Sequence, residues 1–334
     1  MFFTSNKMIT GIDIGHFAIK YVSLLNKRES IELIKAGYEE IEHYSEDSNI
    51  NIKKTIENLS QKINTNKGKI VSSVDNENLI VKKMCLPLMD REAVIETIRW
   101  EFSEYVPFSV EESVIDYVIT SENDEEVEIS AVIVPRVSVN NSLQFLKRFK
   151  ITSLNIQPFA LLNIFKNKGI NHPIMIVDLG HGSIQIIVGN EDNIYLMRNL
   201  KFGMEDIHKN IITHHKNLAI VRENTQMSYN TGNLDQNNFF KELKKEINRA
   251  VNFFNNNNNK AIEEIYLSGG GVYLDDIKKK LGKKINVELK FINPFTDLVW
   301  SHEQVENTYL NNGGMSEYSV ATGLCISEVL SDES

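Results

Sequence analysis

Two aspartate–glycine motifs have residue types that suit phosphate and metal chemistry. They are Asp13-Ile14-Gly15 and Asp178-Leu179-Gly180, and each ends an apolar stretch of strand character. In a tight turn, glycine lets backbone N–H groups approach an anion closely, while the neighbouring carboxylate faces a magnesium ion. Taken singly, either motif is more simply explained as an ordinary hairpin turn, where aspartate and glycine are common.

The two motifs belong to an internal repeat, about half of the 334-residue chain apart. In each copy a second apolar strand, a polar turn and a third strand follow: Ala18–Leu25 and Ile31–Gly37 in the first copy, Ile184–Val188 and Ile194–Leu200 in the second. Two such meanders predict duplicated lobes that face each other across a cleft. Asp13 and Asp178 would then flank a metal ion, directly or through water, and the two turns would hold a phosphate chain from both sides.

A run of three glycines is a further candidate. Gly269-Gly270-Gly271 follows the predicted strand Glu264–Leu267 and precedes a helical pattern. Bare backbone in this context suits close approach of a base, ribose or phosphate near a helix N-terminus. No Gly-Lys-Ser/Thr follows, so the run is not a P-loop, and its late position does not match the dinucleotide fingerprint of a first strand. By itself the run is more simply a flexible turn between a strand and a helix.

Composition limits the class of protein. Hydrophobic residues make up 42% and charged residues 24%, which excludes wholesale disorder. With 36 basic and 45 acidic residues the net charge is −9, so we expect no nucleic-acid partner. No apolar run approaches the ~18–20 residues that span a bilayer, so we expect no direct membrane insertion. Two cysteines, Cys85 and Cys325, cannot form a disulfide framework, which favours a reducing cytosol.

Helical patterns lie between and after the meanders. We predict helices over Ile50–Ile63, from the cap Asp90 to before Pro107, from the cap Ser138 through Phe149, over Asn238–Phe254 and over Ser319–Val329. The acidic segment Ser121–Glu126 separates two strand-like stretches and predicts a solvated hairpin tip.

Several segments together resemble a known family. The two meanders, the strand–Ser-Gly-Gly-Gly–helix segment and the late Ala321-Thr322-Gly323-Leu324 look like the actin, Hsp70 and sugar-kinase ATPase fold. Within that superfamily the chain most resembles the PilM family of type IV pilus assembly proteins, from about residue 8 to residue 328. The segments that match this branch are Leu86-Pro87, Trp100-Glu101, Tyr105-Val106-Pro107-Phe108, Asp116-Tyr117 and Asn155-Ile156-Gln157-Pro158-Phe159-Ala160-Leu161.

The resemblance implies an α/β, actin/Hsp70-like ATPase fold. Two lobes, each with a β-meander and flanking helices, would surround a central nucleotide cleft, and the first lobe would carry an α+β insert subdomain. We expect the first-lobe core in 1–71 and 151–173, the insert in 72–150, the second-lobe core in 174–202 and 262–334, and a second-lobe helical subdomain in 203–261.

The resemblance also implies a site for ATP and Mg²⁺. The first phosphate loop would contain Gly11, Asp13, Gly15, His16 and Lys20, the second Asp178, Gly180 and Ser183, and the adenosine would lie at Gly269, Gly270 and Gly271. Asp13 and Asp178 would hold Mg²⁺, directly or through water. His16 replaces the usual small hydroxyl residue, and its imidazole could donate one hydrogen bond to a phosphate. Gln157 would position the attacking water; because a neutral amide is no general base, we expect at most a slow ATPase.

The partner implied by the resemblance is the N-terminal tail of a PilN-like membrane protein, held in a groove near the insert. The protein would lie in the cytoplasm, at the inner face of the cell membrane, among other pilus components, and self-association stays open. One alternative is an FtsA-like, filament-forming divisome protein, although such proteins usually end in an amphipathic helix after a linker. Another is a sugar-kinase-type phosphotransferase, for which Asp75 and Asp90 are available but lie in no recognisable substrate loop.

Overall fold

Three β-sheets with flanking helices form the part of the chain that the computed structural model describes, namely residues 7–28, 30–41, 48–63, 68–75, 77–166, 168, 170, 172–191, 193–207, 234–258, 260–274, 276–282, 285, 287–300 and 315–333. The strands are β1 (Lys7–Ile14), β2 (Ala18–Lys27), β3 (Ser30–Glu40), β4 (Lys69–Ser73), β5 (Ile80–Pro87), β6 (Ser113–Glu122), β7 (Glu126–Pro135), β8 (Ser153–Asn155), β9 (Ile174–Leu179), β10 (Ile184–Gly189), β11 (Ile194–Leu200), β12 (Glu264–Ser268), β13 (Glu288–Phe291) and β14 (Val299–Trp300). The helices are α1 (Ser48–Lys62), α2 (Arg91–Ser103), α3 (Arg136–Phe145), α4 (Gln157–Asn163), α5 (Leu234–Asn257), α6 (Ile277–Gly282) and α7 (Ser319–Glu333).

The first lobe is built on a six-stranded sheet with the order β14-β3-β2-β1-β4-β8. Strands β1 to β3 form the first predicted meander, and β4 and β8 continue the sheet parallel to β1. Residues 9–13 of β1 are all buried because helices cover both faces of the sheet. Ile9 packs in the same cluster as residues of α7, and Ile12 packs with residues of α1.

The second lobe repeats this arrangement in a five-stranded sheet with the order β11-β10-β9-β12-β13. Strands β9 to β11 form the second meander, and β12 and β13 run parallel to β9. Helix α5 covers one face of the sheet with Leu243, Ile247 and Phe254, which follow the predicted helical spacing. The shared strand order confirms the predicted fold of two similar lobes.

The insert is a three-stranded antiparallel sheet with the order β5-β7-β6. Helix α2 packs on it through Val94, Ile98 and Phe102. Asp90 caps α2 as predicted, because its Oδ1 accepts a hydrogen bond from the backbone N–H of Ala93 at 2.9 Å. The acidic segment between β6 and β7 is a hairpin tip, as predicted.

Some boundaries differ from those that the sequence predicts. Helix α3 begins at Arg136, not after Ser138, because β7 continues to Pro135 and the chain turns there directly into the helix. The predicted last turn of this helix is a separate 3-10 turn, Lys147–Phe149.

The segment 262–334 was predicted to lie wholly in the second-lobe core, but it is divided between the lobes. Strand β14 pairs with β3, and α7 packs on β1 and α4, so both belong to the first lobe. Part of the predicted helical subdomain, residues 208–233 and 259, lies outside the described residues. No helix in the described part of the chain is long and apolar enough to cross a membrane.

Gly323 lies where α7 touches α4, and its lack of a side chain permits that contact. A Cβ there would stand 1.8 Å from the carbonyl oxygen of Ala160. We therefore expect Gly323→Ala to push the helices apart and to lower the free energy of unfolding by about 1–3 kcal/mol or more. Gly282→Ala is the control, since among the described residues its Cβ would meet Leu289 Cδ1 at 3.9 Å, an ordinary van der Waals contact. Urea unfolding compares them, and equal stability of the two variants would contradict this packing.

Candidate functional site

Asp13 and Lys20 form an ion pair at the cleft end of the first hairpin. They are cross-strand partners on β1 and β2, and Lys20 Nζ donates a hydrogen bond to Asp13 Oδ2 at 3.0 Å. The Asp13 side chain is only 6% exposed. Burial alone would lower the pKa of Lys20, but the charges of Asp13, Asp178 and Glu317 outweigh it and raise that pKa. The ammonium is therefore held firmly in its charged form.

Asp178 occupies the corresponding position of the second hairpin. It lies on β9 next to Ser268, the last residue of β12, with which it makes a hydrogen bond. Burial raises the pKa of Asp178 to about 6, and the negative charge of Asp13 adds to the rise, while Ser268 and Lys20 oppose it. The two aspartates therefore lie close enough across the cleft to repel each other, as the repeated motifs predict.

The turns that follow the two aspartates touch each other. A Cβ built on Gly182 would stand 2.9 Å from both Cγ and Cδ2 of the His16 ring, so the imidazole lies against the backbone of the second turn. Beside it, the rings of Phe17 and His181 are 5.2 Å apart between centroids, tilted by 44°. The hairpins thus meet tip to tip across the cleft.

The glycine run lies alongside the second turn. Gly269 has φ = 82°, and a Cβ there would stand 2.7 Å from the carbonyl oxygen of Leu179 and 2.9 Å from Asp178 Oδ1. The backbone conformation and the close approach both require glycine. A Cβ on Gly270, in contrast, would meet no atom of the described residues within 4 Å. Bare backbone at Gly270 therefore faces open space next to the aspartate cluster.

Glu317 and Tyr273 complete the cluster and were missed by the sequence analysis. The Tyr273 hydroxyl donates a hydrogen bond to the Glu317 carboxylate. Burial raises the pKa of Glu317, against the effect of that hydrogen bond and of the Lys20 charge. Tyr273 closely follows the glycine run, which is a weak signal for it. No local motif marks Glu317, because it reaches the cleft only through the placement of α7.

The other predicted loop residues lie at or near the turns. A Cβ on Gly15 would stand 3.0 Å from the Ala18 carbonyl oxygen, and one on Gly180 would stand 2.6 Å from that of Ser183. Ser183 is exposed. Gly11 differs, because it lies within β1, where a Cβ would stand 2.1 Å from the carbonyl oxygen of Ala321 in α7. Packing of the helix explains that glycine, and any contact of these residues with phosphate stays a prediction.

Gln157 is the first residue of α4 and follows β8. Strands β1, β4 and β8 are parallel neighbours, so Gln157 and Asp13 lie toward the same edge of the sheet, about two strand spacings, or roughly 10 Å, apart. Its proposed role with water stays a prediction. Asp75 and Asp90 serve local structure: Asp75 accepts from the N–H of Glu77, and Asp90 caps α2.

The charges of this cluster fit a divalent cation bound together with phosphate. Three carboxylates, of Asp13, Asp178 and Glu317, lie close enough to the Lys20 ammonium to raise its pKa. Among the described residues, no group of three or more His, Cys, Asp or Glu side chains is arranged to hold a metal ion. Magnesium at this place would therefore take one or two carboxylates and complete its octahedron with water and phosphate oxygens, which is its usual behaviour with nucleotides.

Asp178 gives the protein's stability a defined dependence on pH. Its pKa is about 6 in the folded protein, against an ordinary value of 3.8. Between these two pH values the Asp178 carboxyl is deprotonated in the unfolded chain but still protonated in the folded protein, so the free energy of unfolding falls as pH rises. Below about pH 4 the carboxyl is protonated in both states and its raised pKa costs no stability. Above about pH 6 it is deprotonated in both states and the loss of stability is complete. We expect Asp178→Asn to gain about 3 kcal/mol over wild type between about pH 4 and pH 7. Urea unfolding at several pH values tests this, with Asp116→Asn at an exposed position as the control. A difference in free energy of unfolding between Asp178→Asn and wild type that does not change with pH would contradict it.

Solved structures with the same architecture support the fold. One is a PilM–PilN type IV pilus biogenesis complex, with a TM-score of 0.80 and 22% identity, covering 96% of this chain and 98% of that chain. Another is the ethanolamine utilization protein EutJ from Carboxydothermus hydrogenoformans, with a TM-score of 0.54 and 11% identity over 96% of this chain and 89% of that one. These likenesses, together with the two meander lobes, show the actin-like ATPase fold.

The sequence itself matches a family over most of its length. No curated protein matches the chain. The model of the family described as type IV pilus assembly protein PilM, however, matches residues 11–329, which include both aspartate turns, the insert and the glycine run. The chain therefore belongs to the PilM family of type IV pilus assembly proteins.

Proposed function

We propose that this protein is a nucleotide-binding scaffold of the type IV pilus assembly machinery. It binds ATP with Mg²⁺ between its lobes and the N-terminal tail of a PilN-like membrane protein in a groove of the first lobe. Membership of the PilM family supports the pilus role, and the similar solved structure is of a complex that contains PilN. The observation that carries the nucleotide site is the pair of facing aspartates, Asp13 buried and Asp178 partly buried, whose charges both act on Lys20.

Each part of the cleft would have its own role. Asp13 and Asp178 would hold Mg²⁺, directly or through water, and the ion would neutralise part of the phosphate charge. Lys20 would contribute a positive side chain to the cluster, and the backbones of the turns that follow Asp13 and Asp178 would present N–H groups to phosphate oxygens. The nucleoside would lie against the bare backbone at Gly270, which faces open space.

The site is built for binding more than for rapid hydrolysis. Gln157, the residue proposed to orient water, carries a neutral amide that cannot remove a proton. Nucleotide would then add a further link between the two lobes, because Asp13 belongs to one lobe and Asp178 to the other. Any ATPase activity would be slow.

The junction between the insert and the first-lobe core is our candidate for the peptide groove. A small apolar cluster joins the two there, with Val134 of the insert and Ile156 of the core among its buried members. Val114, Val139 and Phe159 are only partly buried at its margin. An extended tail would place alternate apolar side chains against such a margin and pair its backbone with a strand edge. β6 has one neighbour in its sheet and offers such an edge.

The partner would determine where the protein acts. Bound to the cytoplasmic tail of a membrane protein, the scaffold would lie at the inner face of the cell membrane without entering it, next to other pilus components.

The nucleotide site is tested by calorimetry with Mg-ADP and Mg-ATP. We expect Asp13→Asn and Asp178→Asn each to weaken binding at least about tenfold, or about 1.4 kcal/mol, because each removes a carboxylate that faces the ion. EDTA should weaken binding to wild type as well, since the uncompensated carboxylates repel phosphate. Asp116→Asn, outside the cleft, should bind as wild type does. Unchanged affinity in both cleft variants would reject this site.

The groove is tested with a fluorescent peptide of the N-terminal tail of the PilN-like protein encoded with this chain. Val139→Glu places a charge at the partly buried margin and should weaken binding at least about tenfold. Val137→Glu is the matched control, because Val137 lies on the same helix but is 62% exposed. An equal loss of peptide affinity in both variants would show that the peptide binds elsewhere on the protein. No saturable binding of the peptide to folded wild type would reject the scaffold role.

A further inference from the structure

We propose that His16 selects the length of the phosphate chain, so that the cleft binds a nucleoside diphosphate in preference to the triphosphate. This inference rests on the proposed nucleotide site and specifies its ligand. His16 is exposed at the tip of the first turn, and its imidazole reaches across to the backbone of Gly182 in the second turn. A terminal phosphate held by both turns would need the space that this ring fills.

The direction of the nucleotide follows from the position of the open backbone. Gly270 has free space, and its neighbour Gly269 lies against Asp178 and Leu179. A nucleoside at Gly270 would therefore extend its phosphates from the glycine run past Asp178 toward the turns. The last phosphate of the chain reaches His16, whereas the first two lie nearer the aspartates.

The second turn cannot move back to make room. The backbone N–H of Met204 donates to the carbonyl oxygen of Gly180 at 3.1 Å, and that of Glu205 donates to the carbonyl oxygen of His181 at 2.8 Å. Behind the turn, a Cβ on Gly203 would stand 2.3 Å from the same His181 oxygen. The turn is therefore backed by closely packed main chain.

The first turn is fixed to its own lobe in a similar way. The N–H of Gly15 donates to the carbonyl oxygen of Ala18 at 3.1 Å, and the N–H of Ile41 donates to that of Phe17 at 2.9 Å. With both backbones fixed, a third phosphate requires that the imidazole rotate away or that the lobes separate, and separation would break the contact between Phe17 and His181. Either change lowers the affinity for the triphosphate, whereas the diphosphate binds without it.

Calorimetry of wild type, His16→Ser and His16→Gln with Mg-ADP and Mg-ATP tests this. Wild type should bind ADP more tightly than ATP. His16→Ser removes the ring and should raise the affinity for ATP relative to ADP about tenfold, a change of about 1.4 kcal/mol, on the scale of relieving an overpacked contact. His16→Gln retains a long side chain and should keep most of the wild-type preference.

The outcomes separate this inference from the function on which it rests. An unchanged ratio of ATP to ADP affinity in His16→Ser, or tighter binding of ATP by wild type, overturns the role of His16 and leaves the nucleotide site intact. A loss of ATP affinity in His16→Ser also overturns it and shows that the imidazole donates to phosphate. If neither wild type nor His16→Ser binds either nucleotide, the nucleotide site itself falls, and this inference with it.

Discussion

The proximity of two aspartates that both interact with one lysine, Lys20, is the constraint on which the site depends. Asp13 is buried and Asp178 is partly buried, their charges repel each other, and both act on the Lys20 ammonium. Buried charges are tolerated when they are paired, and one ammonium does not satisfy two carboxylates. Burial of Asp178 and its repulsion by Asp13 therefore have a cost in stability, which the raised pKa of Asp178 reflects. The cation of the proposed site would reduce that cost.

The lobes that carry these charges share one apolar cluster. Ile176 and Ile187 of the second-lobe sheet pack in the same cluster as Val22 of the first-lobe sheet and Leu324 of α7. Because the cluster spans both lobes, a shift of one lobe against the other must rearrange side chains that are close-packed. Packing over a large area thus fixes the distance between Asp13 and Asp178. The same packing keeps the two turns so close that His16 contacts Gly182.

The sequence was sufficient to predict the features that depend on local pattern. The two meanders, the cap at Asp90 and the glycine run each leave a signal within about ten residues, and the repeat showed that the two turns belong together. The position of α7 in the first lobe left no such signal. Its position depends on which surface of the fold allows close backbone contact with its small residues, such as Ala321 and Gly323. Glu317 was missed for the same reason. The contact of His16 with Gly182 depends on the docking of two lobes, which no spacing within either one reveals.

The union of distant segments in the first lobe has a consequence for how the protein is made. The Cys325 thiol of α7 lies within hydrogen-bond distance of the backbone oxygens of Val22 and Ile9, and Cys325 follows Ile9 by 316 residues in the chain. On the ribosome, β1 and β2 emerge long before the helix that covers them. One face of their sheet therefore stays open until α7 has been synthesised, a condition under which nascent chains aggregate or engage chaperones. Completion of the first lobe thus waits for a segment far along the chain, whereas the strands of the second meander follow one another directly.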